Sequence, residues 1–171
     1  ATKMADLAQV NGFATRLAPL DEAVGDLPTE GGVLIICASY NGAAPDNATQ
    51  FVKWLESGLA KNTLAGVRYA VFGCGNSDWA ATYQSVPRLI DEQLAAHGAH
   101  SLYARGEGDA RSDLDGQFEK WFAAAAPGAM KELGVDIPIM GTSAGHIDPA
   151  YIANLGAAAE HSFTVGEWNP D

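Results

Sequence analysis

Basic residues are scarce. Lys and Arg number 10 against 21 Asp and Glu, a formal net charge of −11 over 171 residues. Non-specific nucleic-acid binding rests on clustered Lys and Arg, and docking on anionic membranes needs the same charge, so neither partner is expected. An acidic face suits a basic protein surface instead. Cysteine is scarce too. Cys37 sits inside an apolar run and Cys74 between glycines, so neither a disulfide framework nor a metal-ligand spacing is expected. The four histidines are scattered. No apolar run is long enough to span a bilayer, and no charged-then-apolar leader opens the chain. A cytoplasmic location is the expectation.

What is present is concentrated in two segments. Cys37-Ala38-Ser39-Tyr40-Asn41-Gly42 and Phe72-Gly73-Cys74-Gly75-Asn76-Ser77-Asp78-Trp79 each follow a short apolar, partly β-branched run, Val33–Cys37 or Val67–Phe72. Each breaks into glycine and small polar residues, then presents one large aromatic, Tyr40 or Trp79. Parallel strands of an open α/β sheet end this way where their carboxyl-edge loops hold a ligand. Two such aromatics suit a flat ring, a flavin being the natural candidate.

The remaining pattern alternates helices with strands. Residues 1–10 read as a helix closed by Asn11-Gly12, and Phe13–Leu17 as a short strand. Val33–Ala38 reads as a strand covered on both faces. Pro45-Asp46-Asn47 looks like a helix start capped by Asp46 or Asn47, with Phe51 and Leu55 as an i, i+4 pair. Val67–Phe72 is the next strand. A helix with Pro87 in its first turn carries Leu89, Ile90 and Leu94 and stops near Gly98. Ser101–Ala104 is a short strand, and a last helix from Asp115 carries Phe118, Trp121 and Phe122 towards Pro127. Such alternation means βαβ units and a parallel sheet. Trp54, Phe118 and Trp121 read as core. Ala1 is not an initiator methionine, so a piece of a longer polypeptide is expected. From Pro138 the composition changes, and residues 137–171 read as a connector or the edge of a neighbouring domain.

Residues 1–136 resemble the FMN domain of diflavin reductases, most closely the reductase part of self-sufficient bacterial haem-thiolate fatty-acid monooxygenases. The resemblance is carried by Ala38-Ser39-Tyr40-Asn41-Gly42, Pro45-Asp46-Asn47-Ala48, Gly66-Val67-Arg68-Tyr69, Val71-Phe72-Gly73-Cys74-Gly75, Trp79-Ala80-Ala81-Thr82-Tyr83-Gln84, and Arg105-Gly106-Glu107 with Asp109-Ala110. It implies an α/β, flavodoxin-like doubly wound parallel sheet of strand order 2-1-3-4-5, with FMN at the switch point. The first strand and phosphate loop of such a domain would precede Ala1 and are not in this sequence. The piece alone is therefore expected to hold FMN poorly. The implied role is to take electrons from FAD, reduced by NADPH, and pass them one at a time to a haem. The FAD/NADPH and haem domains would be partners within the same polypeptide.

Carried over by position, Tyr40 and Trp79 would sandwich the ring. Asn41 and Gly42 would face its polar edge, with Ser39 and Ala43 beside them. Gly73, Gly75 and Asn76, with Cys74 and Ser77, would let the second loop approach closely. Tyr83 and Gln84 would close the rim, and Asp109 would belong to the fifth-strand loop. Side-chain acid–base catalysis is not implied, and no metal is.

Other readings carry less. Cys74 has no base placed near it in sequence to make it a nucleophile. Gly141-Thr142-Ser143-Ala144-Gly145 matches a hydrolase elbow, but Pro138 interrupts the preceding run and Pro149 delays any helix. A free-standing flavodoxin and a non-catalytic α/β docking domain are the alternatives to a diflavin module.

Overall fold

The computed structural model describes residues 14–132, with positions 2, 5, 9, 140, 141, 163 and 164 outside that stretch. Positions 2, 5 and 9 are helical, as the opening pattern suggests; the Asn11-Gly12 stop and Phe13 lie outside the described residues. Two compact units divide the chain, Ala1–Glu119 and Lys120–Asp171.

The first unit is built on a parallel sheet. Strand β1, Val33–Ala38, pairs in register with β2, Arg68–Gly75, from Val33 opposite Tyr69 to Ala38 opposite Cys74. On its other edge β2 pairs with β3, His100–Ser101, and β4, Gly106–Asp109, both parallel to it. Parallel strands require crossovers, which the helices provide. These are α1, Thr49–Leu55, and α2, Ser85–Ala96. A third helix, α3, Leu114–Glu132, begins in the first unit and ends in the second. Short parallel strands β5, Met140–Gly141, and β6, Phe163–Thr164, belong to the second unit.

Alternation along the strands sends side chains to two layers. Ile35, Cys37, Tyr69 and Val71 join Phe51 and Leu55 of α1 and Val86, Ile90 and Leu94 of α2 in one buried cluster. Phe72 faces the other way and meets Phe118 of α3 edge-on, with ring centroids 4.9 Å apart at 84°. Helices therefore cover both faces, the doubly wound arrangement that continuous apolar strands demand. Past the end of α2 at Ala96, Gly98 has a φ of +92°, and the Gly98 and Ala99 amides reach the Ala95 and Leu94 carbonyls at 3.1 and 3.0 Å.

Several local expectations are corrected. Ala14–Leu17 forms no strand, because a lone extended segment needs a neighbour to pair with, and β1 pairs only with β2 among the described residues. Neither Asp46 nor Asn47 caps α1. The Asp46–Ala48 turn is 3₁₀, and the Phe51 amide is capped by Asp21 Oδ1 at 2.9 Å, thirty residues away in sequence. The strand expected over Ser101–Ala104 is His100–Ser101 alone, and a further strand follows as Gly106-Glu107-Gly108-Asp109, so Asp109 ends a strand. Helix α3 continues past Pro127 to Glu132. Proline removes one donor and keeps a helical φ, while the alanines before it are the best helix formers.

Candidate functional site

Three strand ends open on one edge of the sheet, where β1, β2 and β4 run into loops. After β1 the chain turns at once. Tyr40 and Ala43 exchange both backbone hydrogen bonds at 2.9 Å, and the residues between them have positive φ, Asn41 +50° and Gly42 +80°. That is the type I′ hairpin which Asn-Gly favours, and it holds Tyr40 outward with 73% of its surface exposed. The sequence carried this signal.

After β2 the chain makes a single 3₁₀ turn, Ser77–Trp79, capped by Asn76 Oδ1 accepting from the Asp78 amide at 2.9 Å. Trp79 is 67% exposed. The two loops meet directly. A Cβ on Gly42 would lie 2.8 Å from Thr82 Cγ2. Between them is an open depression of about 450 Å³ lined by Asn41, Asp78, Trp79, Ala80, Ala81 and Thr82. Two large exposed aromatics, Tyr40 on one loop and Trp79 on the other, are unusual on a surface with no further use for them. The arrangement fits a planar ring approaching the sheet edge.

The other carried-over positions fall into two groups. Gly42, Asn41, Ala43 and Trp79 are exposed, and Asn76, Ser77 and Tyr83 half-buried, all on the first two loops. Ser39, Gln84, Asp109 and the strand glycines work underneath. The Ser39 hydroxyl accepts from the Val86 amide at 3.0 Å and so caps α2. Gln84 does not close a rim. It is fully buried, its Nε2 donating to the Gly73 and Gly108 carbonyls at 3.1 and 3.2 Å. Gly73 lies against Gln84 and Pro87, and Gly75 against the Tyr83 ring, with no room for a side chain at either.

Asp109 joins the loops. Its Oδ1 accepts from the Ser77 and Arg111 amides, both at 3.0 Å, and its own amide donates to Gln117 Oε1 at 2.7 Å. The Ser77 hydroxyl and these amides hold its carboxyl below the usual aspartate value. A depressed carboxylate stabilises the fold above the unfolded-state pKa, and that stabilisation is lost as pH falls through the folded one. Thermal melts of wild type and Asp109→Asn should therefore differ at neutral pH and converge in acid. A constant difference across the titration would remove the carboxylate from this role. Sequence reading missed the Arg111–Asp78 ion pair beside it, 3.1 Å across exposed side chains.

Burial pushes the Cys37 thiol up to about 11, and burial also raises Cys74, so both stay protonated at neutral pH. Their register partners, Gly73 and Ala38, put them on opposite faces of the sheet. Residues 142–145 of the hydrolase-like motif lie outside the described residues.

Comparison with known proteins agrees with this geometry. The profile of the flavodoxin family matches residues 1–121. The bifunctional cytochrome P450/NADPH–P450 reductase 1 of Bacillus subtilis (strain 168) is 49% identical over 137 residues, 80% of this chain and 13% of that protein. A self-sufficient cytochrome P450 monooxygenase of Phanerodontia chrysosporium is 46% identical over 122 residues, 71% of this chain and 11% of that protein. The chain thus spans about one eighth of the length of these curated relatives. In fold, a flavodoxin mutant from Pseudomonas aeruginosa superposes with a TM-score of 0.57 at 22% identity, covering 72% of this chain and 84% of its own. With its parallel sheet wound on both faces and its two aromatic loops at the carboxyl edge, the chain belongs to the flavodoxin family, whose cofactor is FMN.

Proposed function

We propose that this chain relays electrons one at a time from an NADPH/FAD reductase module to a haem monooxygenase. The observation that carries this reading is the pair of exposed aromatics, Tyr40 and Trp79, on loops that touch at Gly42 and Thr82. FMN supplies the redox chemistry when bound. The protein's part is to stack on the ring through Tyr40 and Trp79, and to hold both loops at fixed height through Asn76, Gln84 and Asp109. Asn41, Gly42 and Ala43 offer backbone groups to the ring edge. The identities with cytochrome P450–reductase fusions support haem and FAD/NADPH domains as partners, and the charge of −11 supports docking to a basic surface.

The test is an FMN titration, followed by absorbance and tryptophan quenching. Two forms are compared, this chain and the same chain lengthened upstream by a strand and phosphate loop of the family. The lengthened form should bind one FMN per chain and reduce a haem monooxygenase when supplied with its reductase. The short form should bind more weakly, since the β1 edge facing away from β2 carries no described partner strand. Failure of the lengthened form to bind FMN would overturn the reading.

A further inference from the structure

We infer that Gln84 is the positioning residue of the ring site, a buried carboxamide that sets the spacing of the β2 and β4 strand ends and thereby the pose of Trp79. This rests on the proposed reading of Tyr40 and Trp79 as the aromatics of the flavin-ring site. Gln84 is the buried polar residue of the described core, with no exposed surface. Its backbone stands at φ +59° and ψ +14°, a left-handed conformation that residues other than glycine avoid. Both partners of its side chain are carbonyls, Gly73 O and Gly108 O, so only an NH₂ group can serve both. Its Oε1 has no partner and lies against Gly73. A Leu or Met would fill that volume without burying an orphan acceptor. What the amide adds is a clasp between two neighbouring strands at the point where each turns into a site loop.

The clasp reaches Trp79 through a short path. The Trp79 carbonyl accepts from the Thr82 and Tyr83 amides, both at 2.9 Å, and the Thr82 carbonyl from the Ser85 amide at 3.2 Å. Residues 79–85 are thus one tight turn with the Trp79 ring at its outer end and the Gln84 amide at its root. The turn has no slack to absorb a shift at Gln84, because Gly42 packs against Thr82 on one side and Gly75 against Tyr83 on the other.

Gln84→Glu separates positioning from packing. It keeps the size, but a carboxylate has no hydrogen to give either carbonyl, whereas the protonated acid restores one. Burial and the two facing carbonyl oxygens raise such a carboxyl, so the titration is followed from mild acid to alkaline pH, where the carboxylate is reached. The readout is the fluorine resonance of Trp79 in protein labelled with 5-fluorotryptophan, assigned by Trp79→Phe. In Gln84→Glu that resonance should be displaced at alkaline pH and return towards wild type as pH falls, while the Trp54 resonance stays put. FMN affinity, measured in the chain lengthened upstream, should fall about tenfold at alkaline pH and recover over the same range. A wild-type Trp79 resonance and a flat pH profile in a folded Gln84→Glu protein would overturn the inference. If that variant loses its fold, Gln84→Met removes both N–H groups at constant volume, and a Trp79 resonance unchanged from wild type would overturn it equally. Absence of FMN binding by the wild type would instead sink the flavin reading, and the resonance would still decide the role of Gln84.

Discussion

Among the described glycines, alanine at Gly73 should be the most damaging substitution. Its Cβ would collide with the Gln84 side-chain oxygen and sit 2.7 and 2.8 Å from Pro87 Cβ and Cγ. Pro87 is rigid and fully buried, and Gln84 is held by two carbonyls, so neither can step aside. Overpacking of this kind costs about 3 kcal/mol, and here a broken pair of buried hydrogen bonds adds to it. For a domain of this size that lowers Tm by roughly 10 °C. Gly128 is the control. Nothing lies within 4 Å of a Cβ placed there, and it stands inside helix α3, so Gly128→Ala should be neutral or stabilise by about 0.5–1 kcal/mol. Calorimetry of the two variants checks both statements, and a Gly73→Ala protein melting with wild type would refute the close packing.

In the chain lengthened upstream, replacing Trp79 by alanine should leave the melt unchanged and weaken FMN binding. With 67% of its surface exposed, Trp79 holds little of the fold, and truncations at such positions fall within about 0.5 kcal/mol. Against a bound ring, the same side chain contributes stacking of about 0.5–1.5 kcal/mol beyond the area it buries. Together these lower FMN affinity roughly 10- to 100-fold. Tyr40→Ala should act in the same direction, and the double variant should bind too weakly to copurify with flavin. Isothermal titration decides the point. An affinity equal to wild type in Trp79→Ala would remove that ring from the site, leaving Tyr40 to be tested alone.

Much of this is legible in the sequence. Apolar runs such as Val33–Cys37 and Val67–Phe72 are strands because a parallel sheet covered on both faces tolerates no polar alternation. Phe51 with Leu55, and Ile90 with Leu94, mark buried helix faces by spacing alone, and all four are fully buried. The aromatic after each strand could be found in the same way. The misreadings have a common origin. Gly106-Glu107-Gly108-Asp109 has no strand-like composition, yet it pairs with β2, and beside the Phe72 ring only a glycine fits at position 108, the partner of Cys74. A Cβ on Gly108 would lie 2.8 Å from that ring.

The sequence by itself determined the class of fold, the order of its elements, and which two loops carry exposed aromatics, because each of these rests on residues close together in the chain. The tertiary structure decided what those loops stand on. Asp21 caps a helix that begins 28 residues later, Ser39 caps one that begins 46 residues later, and Asp109 holds the turn after β2. Gln84 sits beneath the rim it seemed to form. A hydrogen bond between distant segments is set by where two strands end in space, and no local pattern of residue types records that position.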